Sequence, residues 1–254
     1  TVKHRAKDGR MTPTLSAAEP ELAGLALAMK RAGKGVIEVN SDFGEGDFAY
    51  VRQAAELAGR PLSVLLLQVD NAPDLWRETL GQIEQANRDG LHVTGQVGSR
   101  PIGIMMGLET TVHPFAGHPA WQAMANLSPA ERYARLANDA NLRRVLWQER
   151  GEDGHTRWMA KALERAFPLG PDLDYEPAPE DAVAAQARAA GRDPFELALD
   201  LMMHNEGKAL LLHPFENYTE GNLDIVRTML CHPNCVAGLA DAGAHVGVIA
   251  DHSS

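Results

Sequence analysis

Apolar, β-branched runs recur along the chain at Gly35–Asn40, Leu62–Gln68, Leu91–Val97, Ala209–His213 and Val236–Leu239, which makes each a strand candidate. Between them lie segments of helical period: Glu21–Ala32, Phe48–Ala58, Leu75–Asp89 and Leu223–Leu230, each with its charges on one face and a Gly or Pro near its end. Strand and helix thus alternate at roughly thirty-residue spacing, the signature of βαβ units and a parallel sheet. The alternation breaks over about 113–200. There Pro114, Pro119, Pro129, Pro168, Pro171, Pro177, Pro179 and Pro194 punctuate helical stretches. Glu131–Glu149 and Gly154–Ala166 read as amphipathic helices, Leu169–Pro179 as an extended link, and Ala178–Ala190 as an alanine-rich helix with poorly placed caps. The expected organisation is one domain over 1–254 with a helical insertion at 113–200. A lid over a site and an oligomer contact would both give that insertion, so a homo-oligomer is compatible with it.

Composition narrows the function classes. The chain has 254 residues, 44% of them hydrophobic and 23% charged, enough to bury a full core. A formal net charge of −10 argues against a nucleic-acid partner, and no run of 18 apolar residues is present to span a membrane. A soluble, cytoplasmic protein is expected, since no signal h-region or basic targeting stretch opens the chain. It begins Thr-Val-Lys-His without Met, so an upstream segment is expected as well. Cys231 and Cys235 are the only cysteines. Cys-His-Pro-Asn-Cys falls short of a closed zinc site, and core or loop thiols are expected.

The string Val236-Ala-Gly-Leu-Ala-Asp-Ala-Gly-Ala-His245 carries the most chemistry. It reads as an apolar strand, with Val236 and Leu239 against a barrel wall, ending in Asp241, small residues and His245. A catalytic carboxylate at a strand's carboxyl end and a plain turn rich in Asp and Gly both fit it. Gly44-Glu-Gly46 is too short for dinucleotide binding, and neither a Gly-x-Ser-x-Gly elbow nor a Walker loop occurs. Asp42, Glu45 and Asp47 suit a cation or a solvated turn.

Gly35-Val-Ile-Glu-Val39, Gly59-Arg-Pro-Leu-Ser63, the helix start at Trp76–Leu80, Gln96-Val-Gly-Ser-Arg-Pro101, His113-Pro-Phe115, Glu220-Gly-Asn-Leu223 and Gly238-Leu-Ala-Asp-Ala-Gly-Ala-His245 follow one another in an order that resembles the amidohydrolase family containing the N-acyl-D-amino-acid deacylases. The resemblance implies a (β/α)8 TIM-barrel-like fold, incomplete in this chain, and metal-dependent hydrolysis of a linear amide, with a small N-acyl amino acid as substrate. It implies that Asp241 is both a metal ligand and the proton shuttle, and that the divalent metal is zinc. That family's His-x-His metal pair is missing from these 254 residues and is expected upstream, with His4 as a further candidate ligand. A histidine ligand is also missing where Leu62–Gln68 runs into Val69-Asp70-Asn71. Asp70 fits that place as an oxygen ligand, or Gln68, Asp70 and Asn71 are hydrogen-bonding turn residues.

Three residues are candidates for substrate binding. His245 follows Asp241 by four residues. Arg100, before Pro101, suits a carboxylate fork or an internal salt bridge. His213, at the end of an apolar strand, suits a pocket or a structural role. His113 and His118 bracket a loop that either lines a site or only turns, and His92 reads as a core or surface side chain. The competing function is a degenerate barrel that binds a small carboxylate ligand without turnover.

Overall fold

The computed structural model describes residues 10, 19–40, 46–172, 174–238 and 249–251. In chain order the elements are α1 (Glu19–Ala32), β1 (Ile37–Val39), α2 (Asp47–Ala58), β2 (Leu62–Leu65), α3 (Leu75–Arg88), β3 (Val93–Val97), β4 (Ile102–Met106), α4 (Pro119–Gln122), α5 (Pro129–Asn138) and α6 (Ala140–Gln148). There follow α7 (Gly154–Leu163), β5 (Phe167–Pro168), α8 (Val183–Ala190), α9 (Pro194–Gly207), β6 (Leu211–Glu216), α10 (Asp224–Leu230), β7 (Cys235–Ala237) and β8 (Ile249–Asp251). The chain divides into two compact units: Thr1–Leu66 with Asp74–Val97 and Met229–Ala237, and Leu67–Pro73 with Gly98–Thr228 and Gly238–Ser254. The described residues are mixed α/β, and none of their helices is long and apolar enough to cross a membrane.

The first unit is built on a parallel sheet in the order β1-β2-β3-β7. Its helices fold as their apolar spacing dictates. In α2 the buried positions are Phe48, Val51, Ala54, Ala55 and Ala58, three or four residues apart. Gly59 ends the helix at φ +57°, a left-handed turn that glycine adopts without a Cβ clash, and its N–H closes on the Ala55 carbonyl at 2.9 Å. In α3, Trp76, Thr79, Ile83 and Ala86 are buried while charged residues cover the rest. Asn87 then fixes the turn into β3, because its amide donates to the Val93 carbonyl at 2.8 Å and accepts the Val93 N–H at 2.7 Å.

The second unit holds a sheet in the order β5-β6-β4-β8, antiparallel throughout. Its core is made of bulky side chains, with Met106, Leu136, Leu146, Met159, Leu163, Leu199 and Met202 all at 1% exposure or less. The run at Ala209–His213 therefore joins an antiparallel ladder, as β6, where a place in a parallel sheet was expected. Period and spacing identify a strand but carry no information on its neighbour's direction. Pro214, which has no N–H to give a ladder, sits in β6 opposite Gly103, beside an irregularity between Ile102 and Gly103 that accommodates it. The expected single helix at Glu131–Glu149 is two, because Asp139 leaves helical geometry (φ −124°, ψ 88°) and its side chain accepts the Leu142 N–H at 2.9 Å, capping α6.

Candidate functional site

Asp241, His245 and His4 lie outside the described residues, as do Asp42 and Glu45. The approach to Asp241 is described. β7 runs parallel to β3, with Cys235 opposite Gly95 and Ala237 opposite Val97, and Asp241 is the fourth residue past its carboxyl end. Ligands of parallel α/β sheets bind beyond the carboxyl ends of the strands. Val236 does not bury as expected. It is 49% exposed, since β7 is the last strand of its sheet.

In the second unit His213 lies in the body of β6, opposite Ile104 and 7% exposed. The Trp158 indole stands edge-on to its ring at 6.0 Å, and its buried Nδ1 has no hydrogen-bond partner among the described residues. Burial pushes the imidazole pKa down to about 4, against the opposing pull of the Arg165 and Ala162 backbone and the Asp70 carboxylate. His213 is thus neutral at pH 7, with one ring nitrogen unused.

The residues around Asp70 are laced together. Its Oδ2 accepts from Arg165 Nη1 at 2.7 Å and its Oδ1 from the Thr219 hydroxyl at 2.8 Å. Arg165 Nη2 reaches the Tyr218 carbonyl at 2.6 Å. Gln68 is fully buried. Its N–H donates to Asn217 Oδ1 at 2.9 Å, its side-chain amide donates to Glu220 at 2.9 and 2.8 Å, and its backbone carbonyl accepts the Asn217 N–H at 2.9 Å. Asn217 completes this corner at φ +59°, a left-handed conformation that asparagine tolerates better than most side chains. With both Asp70 oxygens engaged by protein donors, Gln68 and Asp70 act as hydrogen-bonding turn residues. Among the described residues no group of three or more His, Cys, Asp or Glu side chains could hold a metal ion.

Arg100 is half-buried, with its guanidinium carbon over the Tyr175 ring, 5.0 Å from its centre, a cation–π distance. His113 is buried against Trp121 at 4.5 Å, and its Nδ1 accepts the Phe115 N–H at 3.2 Å. Burial, followed by the charges of His155 and Arg132, pushes its pKa down to about 3. His118 caps α4 by accepting the Ala120 N–H at 3.1 Å, so it turns the chain. His232 accepts the Asn234 N–H on Nδ1 at 3.3 Å, which puts its proton on Nε2, 3.0 Å from Glu84. Cys235 is half-buried and its thiol is pushed up to about 11, while Cys231 is exposed; both are free, as expected. His92 is a surface side chain, and Asp47 opens α2.

No family model matches the chain, and no curated protein does. Three solved structures are similar to it. An N-acyl-D-glutamate deacylase from Bordetella bronchiseptica, complexed with zinc and a phosphonate mimic of the tetrahedral intermediate, is 18% identical at a TM-score of 0.41, over 89% of this chain and 36% of that one. A D-aminoacylase variant in complex with copper chloride is 14% identical at 0.39, over 91% of this chain and 37% of its own. A D-aminoacylase structure concerned with its binuclear metal centre is also 14% identical at 0.39, over 90% and 36%. The chain spans a little over a third of the length of these proteins.

Arg165, Asn217 and Glu220 drew no role from the sequence. Glu220 opens the stretch Glu220-Gly-Asn-Leu223, but nothing in its neighbours marks Gln68 as its partner, 152 residues away. Arg165 falls inside the expected helix Gly154–Ala166, but α7 ends at Leu163, and no spacing rule joins Arg165 to Asp70, 95 residues away.

Proposed function

We propose that this chain is part of an amide hydrolase acting on a small N-acyl amino acid, with Asp241 as the group that takes a proton from the attacking water and delivers it to the leaving nitrogen. The supporting observation is the course of β7, a parallel strand whose carboxyl end leads within four residues to Asp241 and its glycine-rich surround. His245, four residues further on, orients water or substrate, and Arg100 and His213 are the proposed contacts to the substrate's carboxylate and acyl group. The cofactor is a divalent metal, zinc, held by Asp241, His4 and residues upstream, and it would polarise the amide carbonyl. The described residues do not fit such an ion by themselves, because no three of their His, Cys, Asp or Glu side chains come together to hold one. The barrel and its insertion at 113–200 belong to the same proposal.

A second reading keeps the fold as a carboxylate-binding protein without turnover. The Asp70–Arg165 ion pair favours it, since it stands where the resemblance calls for a histidine ligand. Release of primary amine from a panel of N-acyl-D- and N-acyl-L-amino acids, measured on the complete protein with zinc supplied and with a chelator, decides between them. Release that the chelator abolishes supports the hydrolase. Saturable binding of an N-acyl amino acid without any release supports the second reading.

A further inference from the structure

The second unit holds a cleft of about 470 Å³, formed where the loop after α6 passes the first turns of α7 and α9. That volume is in the range of small-molecule sites. Two charges of opposite sign line it without meeting. Glu152, in the loop, and Arg157, on α7, are both exposed, and neither has an ion-pair partner among the described residues. They do not pair with each other either. Arg157 Nη1 donates to the Glu152 backbone carbonyl, so the guanidinium is tethered while its Nε and Nη2 keep no acceptor among the described residues.

The rest of the lining is held in place and electrically balanced. Arg150 Nη2 donates to Asp193 Oδ2 at 2.8 Å and its Nη1 to the Trp147 carbonyl, with the guanidinium carbon 4.5 Å from the centre of the Phe195 ring. Asp193 thus cancels the Arg150 charge. Gln148 Oε1 accepts from Arg144 Nη1 at 2.5 Å, which leaves the Gln148 amide N–H groups as donors. The charges left over are one cation, suited to a carboxylate, and one carboxylate, suited to an ammonium. A phosphate ester would meet Glu152 as a like charge, and a simple cation would meet Arg157. A zwitterion satisfies both.

We propose that this cleft binds a free α-amino acid, with its carboxylate on Arg157 and its ammonium on Glu152. Ala160 and Phe195 offer the side chain apolar surface. The hydrolysis proposed above would release a molecule of this class, but the cleft is built from other residues and does not rest on that reading.

Isothermal titration of the complete protein with L-leucine and with D-leucine tests this. The expected result is saturable binding of at least one enantiomer, with a dissociation constant of about 1 mM or below. Arg157→Gln and Glu152→Gln each weaken it at least about tenfold while the thermal midpoint is unchanged, since both side chains are exposed. Leucine amide lacks the carboxylate and N-acetylleucine lacks the ammonium, so each binds the parent at least about tenfold more weakly than leucine. Leucine amide then loses nothing further in Arg157→Gln, nor N-acetylleucine in Glu152→Gln, a pairing that a merely structural role would not produce. Absence of saturable binding of both enantiomers overturns the proposal. Binding indifferent to both substitutions overturns it as well, because the ligand then sits elsewhere. Full affinity of the amide or of the N-acetyl compound overturns the zwitterion. The readout is binding, so a protein that hydrolyses nothing still tests the cleft, and a hydrolase that fails to bind leucine here sinks this proposal alone.

Discussion

The two units bury different kinds of side chain around different kinds of sheet. The parallel-sheet unit packs five alanines, Ala26, Ala54, Ala55, Ala58 and Ala86, among β-branched side chains, Phe48 and Leu62, while the antiparallel unit packs mostly on leucine, methionine and aromatic rings. Small side chains let helices approach closely but leave little volume to lose. Bulky ones store more stability per residue and leave more to lose on truncation. The sheets also place chemistry differently. A parallel strand such as β7 delivers polar residues to its carboxyl end, whereas the antiparallel β6 carries His213 within the strand, desolvated and neutral.

Truncating Leu163, which is fully buried among Leu136, Met159 and Met202, is expected to cost about 2–5 kcal/mol in chemical denaturation. A cost below about 1 kcal/mol would mean that this core collapses around the cavity as an alanine-packed one does. The converse change tests the other unit. Ala54→Leu, at 1% exposure on α2, is expected to destabilise by about 1–3 kcal/mol through overpacking, and a neutral result would show slack between α1 and α2 that the geometry does not suggest.

Acid should separate the units as well. The two buried histidines with depressed pKa values, His113 at about 3 and His213 at about 4, are both in the antiparallel unit. Below pH 6.5 the unfolded chain takes up protons that these folded imidazoles refuse. Stability is therefore complete above that pH and falls as pH drops toward 4 and then 3, by at most about 1.4 kcal/mol per pH unit for each group. Thermal midpoints measured across that range should fall less steeply in His213→Gln than in the parent. Equal slopes would show that His213 is not desolvated.

The smallest effect is expected at Asp70, whose side chain is about one-third exposed. Asp70→Asn should cost about 1 kcal/mol or less, the range of a partly solvated ion pair, and should leave zinc retention unchanged. The 254-residue chain itself is expected to keep less than one equivalent of zinc after dialysis, since three protein ligands are the usual minimum. A full equivalent that Asp70→Asn abolishes would restore Asp70 as a ligand.

Much of this was legible in the sequence because it was local. Glu21–Ala32, Phe48–Ala58, Leu75–Asp89 and Leu223–Leu230 carry their helices in a 3.6-residue period, and the observed helices begin and end within two residues of those bounds. The break at Asp139 was hidden because the amphipathic pattern continues through it, and only a cap rotates the chain. β4 went unread, as Ile102–Met106 follows an X-Pro step and offers few polar alternations. At the candidate site the strand before Asp241 was legible. The lattice of Gln68, Asn217 and Glu220 was not, since its partners lie about 150 residues apart and no spacing rule joins them.

The proposed hydrolysis depends on Asp241, four places beyond β7, moving a proton. In the complete protein, Asp241→Asn keeps the side chain's shape and one oxygen but cannot shuttle that proton. As a proton shuttle, Asp241 is expected to be worth at least about two orders of magnitude in kcat for N-acyl amino acid hydrolysis, with the thermal midpoint of the Asn variant within a few degrees of the parent. An Asn variant that retains kcat within a few-fold, with or without a change in midpoint, would contradict it and leave Asp241 as a turn residue.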